Sequence, residues 1–188
     1  LVAVGVNVNF APCVDVNINP ENPIIGVRSF GESPEMVAQL GAAAIEGFQM
    51  EGIMASAKHF PGHGDTSTDT HFSLPIIPYD RKRLDSVELV PFRAAIRIGV
   101  ASIMTAHIIF PALDPEMPAT LSARIINGLL RDEMGYDGLV ITDCMEMKAL
   151  ADNYGAANAA ILAVKAGADI LLASHRLGFQ RDMRDGLV

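Results

Sequence analysis

Apolar runs with few polar residues recur along the chain, and a helical pattern separates most of them from the next. The runs occupy residues 1–14, 53–60, 100–110, 138–144 and 168–174. A strand that is apolar on both faces is buried on both faces, which is typical of a parallel sheet covered by helices. The sequence therefore predicts an α/β protein with about five βα units and parallel strands, beginning with a buried strand in residues 1–14.

Helix signals lie in the intervals between these runs, at residues 33–52, 80–99, 122–136 and 158–167. Ser122 is the candidate N-cap of the third helix, since serine readily accepts a hydrogen bond from the first free N–H groups of a helix. Pro91 lies inside the second segment, where a proline should kink the helix or divide it into two.

Polar side chains follow every predicted strand, as expected for a barrel whose active site lies at the carboxyl ends of its strands. A Rossmann fold would need a G-x-G-x-x-G fingerprint, which the sequence lacks. We therefore predict a TIM-type (β/α)8 barrel, incomplete in this chain because a whole barrel needs about 250 residues. Residues 1–188 should form one partial domain of a longer polypeptide. That polypeptide should carry the remaining βα units, and this chain should lack material at both of its ends. The polar residues after the strands are Asp15, Lys58, His59, His107, Asp143, Ser174 and His175.

The charge and composition exclude several classes of partner. A net charge of −8 argues against a nucleic-acid groove or an anionic membrane surface. No apolar run is long enough to span a bilayer, so no membrane contact is expected. Cys13 and Cys144 do not suggest a disulfide framework, and the compartment stays open between cytoplasmic and secreted or cell-surface.

The segment KHFPGHGDTSTDTH, residues 58–71, concentrates titratable side chains in one loop. Asp69 and His71 are two residues apart, so in an extended stretch they project to the same side and can form a carboxylate–imidazole acid/base dyad. Two other interpretations stay open. The loop could be a surface loop with incidental polar residues, or it could bind a metal, although its spacing matches no common zinc pattern. The metal ligands would be His59, His63, Asp69 and His71.

Other candidate site residues lie at strand and helix ends. Asp143 ends the strand GLVITDC, where a carboxylate could face a cleft or simply cap a helix. Lys58 and His59 are adjacent, so their side chains should point to opposite sides unless the strand is irregular there. Arg28 could bind a hydroxyl, an anion or a neighbouring carboxylate. His107 is as compatible with an interior histidine as with a ligand.

AKHFPGHGDTSTDTH closely resembles the signature of family 3 glycoside hydrolases, in the β-N-acetylglucosaminidase branch. VITDCMEMKAL resembles the nucleophile segment of that family, and FAPCVDVN and GVRSFG resemble its preceding strand and loop. The similarity covers essentially the whole chain in the order of the family. The resemblance implies a barrel enzyme that needs no cofactor or metal and removes terminal β-linked N-acetylglucosamine with retention of configuration.

The resemblance also implies roles for single residues. Asp143 matches the catalytic nucleophile, and His71 matches the general acid/base with Asp69 as its partner. Residues that bind the hydroxyls of the sugar are matched by Arg28, Lys58 and His59. An imidazole near pKa ~6.5 can both give and take a proton near neutral pH, as a retaining mechanism requires.

The expected function is that of an exo-β-N-acetylhexosaminidase whose partner is a small saccharide from the bacterial cell wall (peptidoglycan) or from chitin. Aromatic residues make up 6% of the chain and Trp is absent, so sugar recognition should depend on hydrogen bonds more than on stacking. Alternatives within the family are a β-glucosidase, ranked lower because that branch lacks the histidine loop, and an N-acetylglucosaminide phosphorylase. Alternatives of another class are a metal-dependent hydrolase and an inactive carbohydrate-binding fragment.

Overall fold

A computed structural model describes residues 1–66 and 74–188 of the chain. Within these residues five strands form one parallel sheet in the order β1-β2-β3-β4-β5, each next to its neighbour in the sequence. This sequential parallel order is that of a barrel wall, and the five strands form a curled half-barrel. The predicted α/β fold, an incomplete barrel of about five units, is thus confirmed. The strands are Val8–Asn9 (β1), Met54–Phe60 (β2), Ser102–Thr105 (β3), Leu139–Cys144 (β4) and Ile170–Leu172 (β5).

The first strand differs from the prediction. Instead of one buried strand over residues 1–14, Val2–Val4 form a 3-10 turn, and β1 has only two residues. Val2, Val4 and Phe10 are exposed, because β1 pairs with β2 on one side and has no second neighbour among the described strands. Continuous burial begins only at Pro12, next to the end of β2.

Six α-helices in the described chain pack around the sheet: Pro34–Met50 (α1), Arg81–Ser86 (α2), Leu89–Arg97 (α3), Lys148–Tyr154 (α4), Ala156–Ala166 (α5) and Leu177–Leu187 (α6). The Ser33 hydroxyl caps α1 by accepting from the Met36 N–H. The predicted helix over residues 80–99 is divided in two, as expected. The break falls at Val87, however, and Pro91 is the third residue of α3, where its missing N–H would have no helical partner in any case.

The segment after β3 forms a π-helix, Arg124–Glu133, where the sequence predicts an ordinary helix. The predicted cap is present, since Ser122 Oγ accepts from the Ile125 N–H at 3.1 Å and donates to Asp114 Oδ2 at 2.6 Å. None of the helices among the described residues combines the length and the apolar character that a bilayer crossing requires.

The core lies between the sheet and the helices. Phe60 at the end of β2 packs edge-to-face on Phe92 of α3, with ring centroids 5.2 Å apart, and both side chains are fully buried. These contacts fix α3 against β2 and thereby hold the carboxyl end of β2, from which the histidine loop leaves.

Candidate active site

A cavity of about 340 Å³ opens at the carboxyl ends of the strands. It brings together four of the six predicted site residues: Arg28, Lys58, His59 and Asp143. Asp69 and His71 lie outside the described residues. The cavity is lined by Ile24, Arg28, Lys58, His59, His63, Asp143, Cys144, Glu146, Met147, Lys148 and His175.

Asp143 stands at the end of β4 and is partly open to the cavity. Its Oδ1 accepts the Cys144 N–H at 2.7 Å, and its Oδ2 lies 3.8 Å from His59 Nε2. Burial alone would raise the pKa of Asp143. The neighbouring His59 and His107 rings, the Cys144 amide and the Lys58 ammonium outweigh burial and bring that pKa below its ordinary value. The carboxylate is therefore ionised at neutral pH.

Lys58 and His59 both line the cavity although they are neighbours on one strand. The ladder pairs Lys58 with Met104 and Phe60 with Thr105, so His59 is an extra residue on β2. Such a bulge re-aims a side chain, which explains why alternation fails here. Burial and the nearby Arg28 lower the pKa of Lys58, and Asp143 opposes that shift.

His59 is oriented from behind by Asp15, whose side chain is fully buried. Asp15 Oδ2 accepts from His59 Nδ1 at 2.8 Å, and Oδ1 accepts from the backbone N–H of His63 at 2.7 Å. The Cys13 thiol and the His59 backbone N–H also donate to this carboxylate. Burial would raise the pKa of Asp15, but His59, His63 and Cys13 together hold it far below its ordinary value. The sequence marked Asp15 only as a polar residue after a strand.

His63 is a buried member of the cavity wall that the sequence considered only as a possible metal ligand. Its Nδ1 lies 2.8 Å from Thr66 Oγ1, and its backbone carbonyl accepts from Asn22 Nδ2 at 2.8 Å. Its ring meets that of His59 edge-on, with centroids 5.6 Å apart. Burial lowers the pKa of His63 to about 4, so the ring is neutral near pH 7.

Glu146 connects the loop after β4 to the loop after β5. Its carboxylate accepts the backbone N–H groups of Ser174, His175 and Arg176 at 2.5 to 2.7 Å. Burial would raise the pKa of Glu146, but these three amides and the Arg176 side chain bring it below its ordinary value. No sequence signal identified this residue, because its partners lie 28 to 30 positions away.

Arg28 and His107 have opposite environments. Arg28 ends a short 3-10 turn, Gly26–Arg28, and its exposed guanidinium reaches the cavity with a long hydrogen bond to the Ile24 carbonyl at 3.4 Å. His107 is buried, with Nδ1 2.8 Å from Thr120 Oγ1 and Nε2 3.0 Å from the Cys144 carbonyl. It therefore supports the backbone beside Asp143 from the interior.

Among the described residues, the ligand atoms of Cys13, Asp15 and His59 lie within 4.8 Å of one another, as a metal site would require. Both Asp15 oxygens already accept N–H donors, however, and burial raises the pKa of the Cys13 thiol, which keeps it protonated. A thiol in that state is a poor metal ligand. In this cluster Asp15 accepts hydrogen bonds from its neighbours, and the cluster does not have the chemistry of a metal site. The predicted metal set falls partly outside the described residues.

The chain is similar to known proteins over its whole length. Residues 1–179 match the family described as the glycosyl hydrolase family 3 N terminal domain. Beta-hexosaminidase A of Pseudoalteromonas piscicida is 44% identical over 182 residues, which cover 90% of this chain and 30% of that protein.

Solved structures give the same result. A glycoside hydrolase family 3 beta-N-acetylglucosaminidase from Paenibacillus sp. str. FPU-7 is 55% identical with a TM-score of 0.98, covering 100% of this chain and 36% of that one. Beta-glucoside phosphorylase BglX bound to 2FGlc is 29% identical with a TM-score of 0.91, covering 98% and 35%. The chain thus spans about a third of the length of these relatives.

Proposed function

Because the chain belongs to glycosyl hydrolase family 3, we propose that it is the central and C-terminal part of the catalytic barrel of a retaining exo-β-N-acetylglucosaminidase. The substrate is a saccharide from peptidoglycan or chitin with a terminal β-linked N-acetylglucosamine. One observation carries the proposal: an ionised carboxylate, Asp143, faces a cavity whose other walls present Arg28, Lys58 and His59. Three nitrogen-bearing side chains around one carboxylate suit a sugar ring held by its hydroxyls above a nucleophile.

In the first step, a carboxylate oxygen of Asp143 attacks the anomeric carbon. The bond from that carbon to the leaving oxygen breaks, and the leaving oxygen takes a proton from His71. Water then attacks the glycosyl–Asp143 ester, gives its proton back to His71, and releases the sugar with its original configuration. Lys58 and Arg28 donate to hydroxyl groups and keep the ring over the carboxylate throughout both steps.

Asp69 and His71 supply the proton chemistry in this proposal. Two of the described histidines that line the cavity have other partners: His63 is neutral and buried beside Thr66, and His59 is bound by Asp15. The loop that carries Asp69 and His71 starts from the cavity wall itself, since His63 lines the cavity. A carboxylate beside His71 stabilises the imidazolium form, which is the proton donor.

The nucleophile is tested in the full-length protein with p-nitrophenyl N-acetyl-β-glucosaminide. Asp143→Ala should abolish turnover, because the variant lacks the carboxylate that forms the glycosyl ester, and Glu146, the other carboxylate among the described cavity residues, is held by three backbone amides. The matched control is Asp137→Ala, an exposed aspartate before the opposite end of β4, which should keep parental kcat and KM. Turnover by Asp143→Ala near the parental rate would remove the proposed role.

The acid/base is tested by varying the leaving group. His71→Ala should lose little on the p-nitrophenyl glycoside, whose leaving group hardly needs a proton, and far more on an unactivated disaccharide. General acid catalysis typically contributes about 10²- to 10⁴-fold. Equal losses on both substrates would contradict the assignment of His71 as the acid.

Phosphorolysis is a second candidate, favoured by the likeness to the structure of beta-glucoside phosphorylase BglX and by a histidine in place of a second carboxylate. A neutral imidazole repels an incoming phosphate less than a carboxylate does. The products formed with and without phosphate distinguish the two reactions. N-acetylglucosamine 1-phosphate in the presence of phosphate would establish phosphorolysis, and free sugar under both conditions would exclude it.

A further inference from the structure

Asp15 occupies a place behind the cavity wall, where it contacts two histidines at once. Its side chain is fully buried and lies 2.8 Å from His59 Nδ1, on the opposite side of that ring from Asp143. The other Asp15 oxygen accepts the backbone N–H groups of His59 and His63, at 3.1 and 2.7 Å, and the His59 N–H also lies 3.2 Å from the first oxygen. We propose that Asp15 is a positioning residue that fixes the tautomer and orientation of His59, and with them the hydrogen bond that Nε2 accepts from the substrate.

The first step of the argument concerns the proton on His59 Nδ1. An ionised carboxylate can only accept hydrogen bonds, so the nitrogen that faces Asp15 Oδ2 must carry a proton. In a neutral His59 the lone pair is then on Nε2. That nitrogen points into the cavity, 3.8 Å from Asp143 Oδ2, which is too long for a direct hydrogen bond. A sugar hydroxyl can therefore donate to Nε2.

The second step concerns the backbone. His59 lies at the end of β2 and His63 at the start of the histidine loop, and their N–H groups converge on one oxygen of Asp15. Asp15 itself is 44 and 48 residues away from them in sequence. One carboxylate thus sets the orientation of the His59 ring and holds the backbone of His63. A buried charge with this many donors is costly to disturb.

The third step predicts what the isosteric variant Asp15→Asn does. The backbone amides of His59 and His63 still require an acceptor, so the asparagine must keep its oxygen toward them. Its NH₂ group then faces His59 Nδ1, which has to become the acceptor. The proton moves to Nε2, and a nitrogen that accepted from the substrate becomes a donor directed toward Asp143. The variant reverses the tautomer of His59 without changing the size of the residue.

The decisive measurement is the long-range nitrogen–proton spectrum of the full-length protein labelled with ¹⁵N-histidine, with His59→Gln identifying the His59 signals. In the parental protein Nδ1 should show the shift of a protonated nitrogen. In Asp15→Asn, Nδ1 should show the shift of a bare nitrogen and Nε2 that of a protonated one. A bare Nδ1 in the parental protein, or no exchange in the variant, would overturn the proposal. The first of these results does not need Asp15→Asn, so the test stands even if that variant fails to fold.

Kinetics supply the functional arm, which rests on the proposed glycosidase activity. Asp15→Asn should lower kcat/KM about 10- to 100-fold, the range for loss of a hydrogen bond that involves a charged group. The matched control is Asp114→Asn. Asp114 is also buried and accepts two backbone N–H groups and the Ser122 hydroxyl, and no histidine in the described parts of the chain is among these partners. Asp114→Asn should keep kcat/KM near the parental value, and an equal loss in both variants would reduce Asp15 to a purely structural role.

The nitrogen spectra of His59 test the role of Asp15, and the activity of Asp143→Ala tests the proposed function, so the two proposals can fail separately. If Asp143→Ala stays active while the His59 tautomer reverses in Asp15→Asn, the positioning role survives and the proposed function fails. If Asp143→Ala is inactive and the tautomer does not change, the enzyme assignment survives and the role of Asp15 fails.

Discussion

Gly64 packs against the backbone of Val16, in the loop after β1, too closely to leave room for a side chain. A Cβ added at Gly64 would be 1.9 Å from the Val16 carbonyl oxygen and 2.4 Å from its carbon. Ordinary contacts of a Cβ begin near 3.4 Å, so Gly64→Ala must separate these two stretches of backbone by about 1.5 Å. Neither partner is the end of a flexible side chain, and the close approach therefore requires glycine at this position.

This separation would break two hydrogen bonds that hold the site together. The His63 N–H lies 2.7 Å from Asp15 and the His63 carbonyl 2.8 Å from Asn22, and a shift of this size removes both hydrogen bonds. Overpacking typically costs about 1–3 kcal/mol and a lost buried hydrogen bond about 1–3 kcal/mol. We expect Gly64→Ala to lose at least about 3 kcal/mol, or at least about 6 °C in melting temperature for a domain of this size. Turnover of the p-nitrophenyl glycoside should fall with it, since the His59 and His63 backbone moves.

The assay is thermal unfolding of the full-length protein followed by circular dichroism, with Gly47→Ala as the matched control. Gly47 is exposed in the interior of α1, and an added Cβ would meet nothing within 4 Å. That variant should gain about 0.5–1 kcal/mol, because alanine loses less backbone entropy in a helix than glycine. Both variants replace a glycine by an alanine, but their expected effects on stability are opposite in sign. A Gly64→Ala protein that melts with the parent and keeps its activity would refute the reasoning.

Three further predictions concern charged groups at the cavity. Arg28→Ala should raise KM about 10-fold without a change in melting temperature, because the guanidinium is exposed. Steady-state kinetics measure the KM of this variant beside that of the control Arg97→Ala, which changes an exposed arginine on α3. An unchanged KM in Arg28→Ala would contradict the prediction. The pKa of Glu146 is lowered, so its carboxylate stabilises the fold above the unfolded pKa of about 4.3 and loses that effect as pH falls through the lower folded value. Urea midpoints of Glu146→Gln should therefore depend less on pH in acid than those of the parent, and parallel curves would disprove it. The pKa of His63 is lowered to about 4, so the unfolded chain binds the proton at a higher pH than the folded chain does, and stability falls as pH drops from about 6.5 toward 4. In His63→Gln the urea midpoints should depend less on pH between these values. An unchanged pH dependence would argue against a buried neutral ring.

Some of the site was predictable because parallel strands end at the same edge of a sheet. The apolar runs predicted five parallel strands, and the polar residues that follow them therefore had to lie near one another. Of these residues, Lys58, His59 and Asp143 do line one cavity, and Arg28, which was predicted separately before the first helix, joins them. Their roles, and those of Asp69 and His71, depend on the resemblance to the family and on the experiments above.

Other features depend on pairings that no local pattern encodes. Asp15 meets His59 and His63 across more than forty residues, and the bulge at His59 follows from the register of β2 on β3. Glu146 binds three amides of a distant loop, again without a sequence signal. The exposed first strand was mispredicted because apolar composition indicates a tendency to be buried, whereas actual burial requires a neighbouring strand.

The order of side chains along the chain thus determined that acids, imidazoles and amines would gather at one rim of a half-barrel. Only the folded chain decided which nitrogen faces which oxygen, since hydrogen bonds depend on distances of a few tenths of an ångström that sequence spacing does not specify. If the imidazole at position 59 were found to turn its other nitrogen toward the buried acid, the arrangement of donors described for this rim would have to be redrawn.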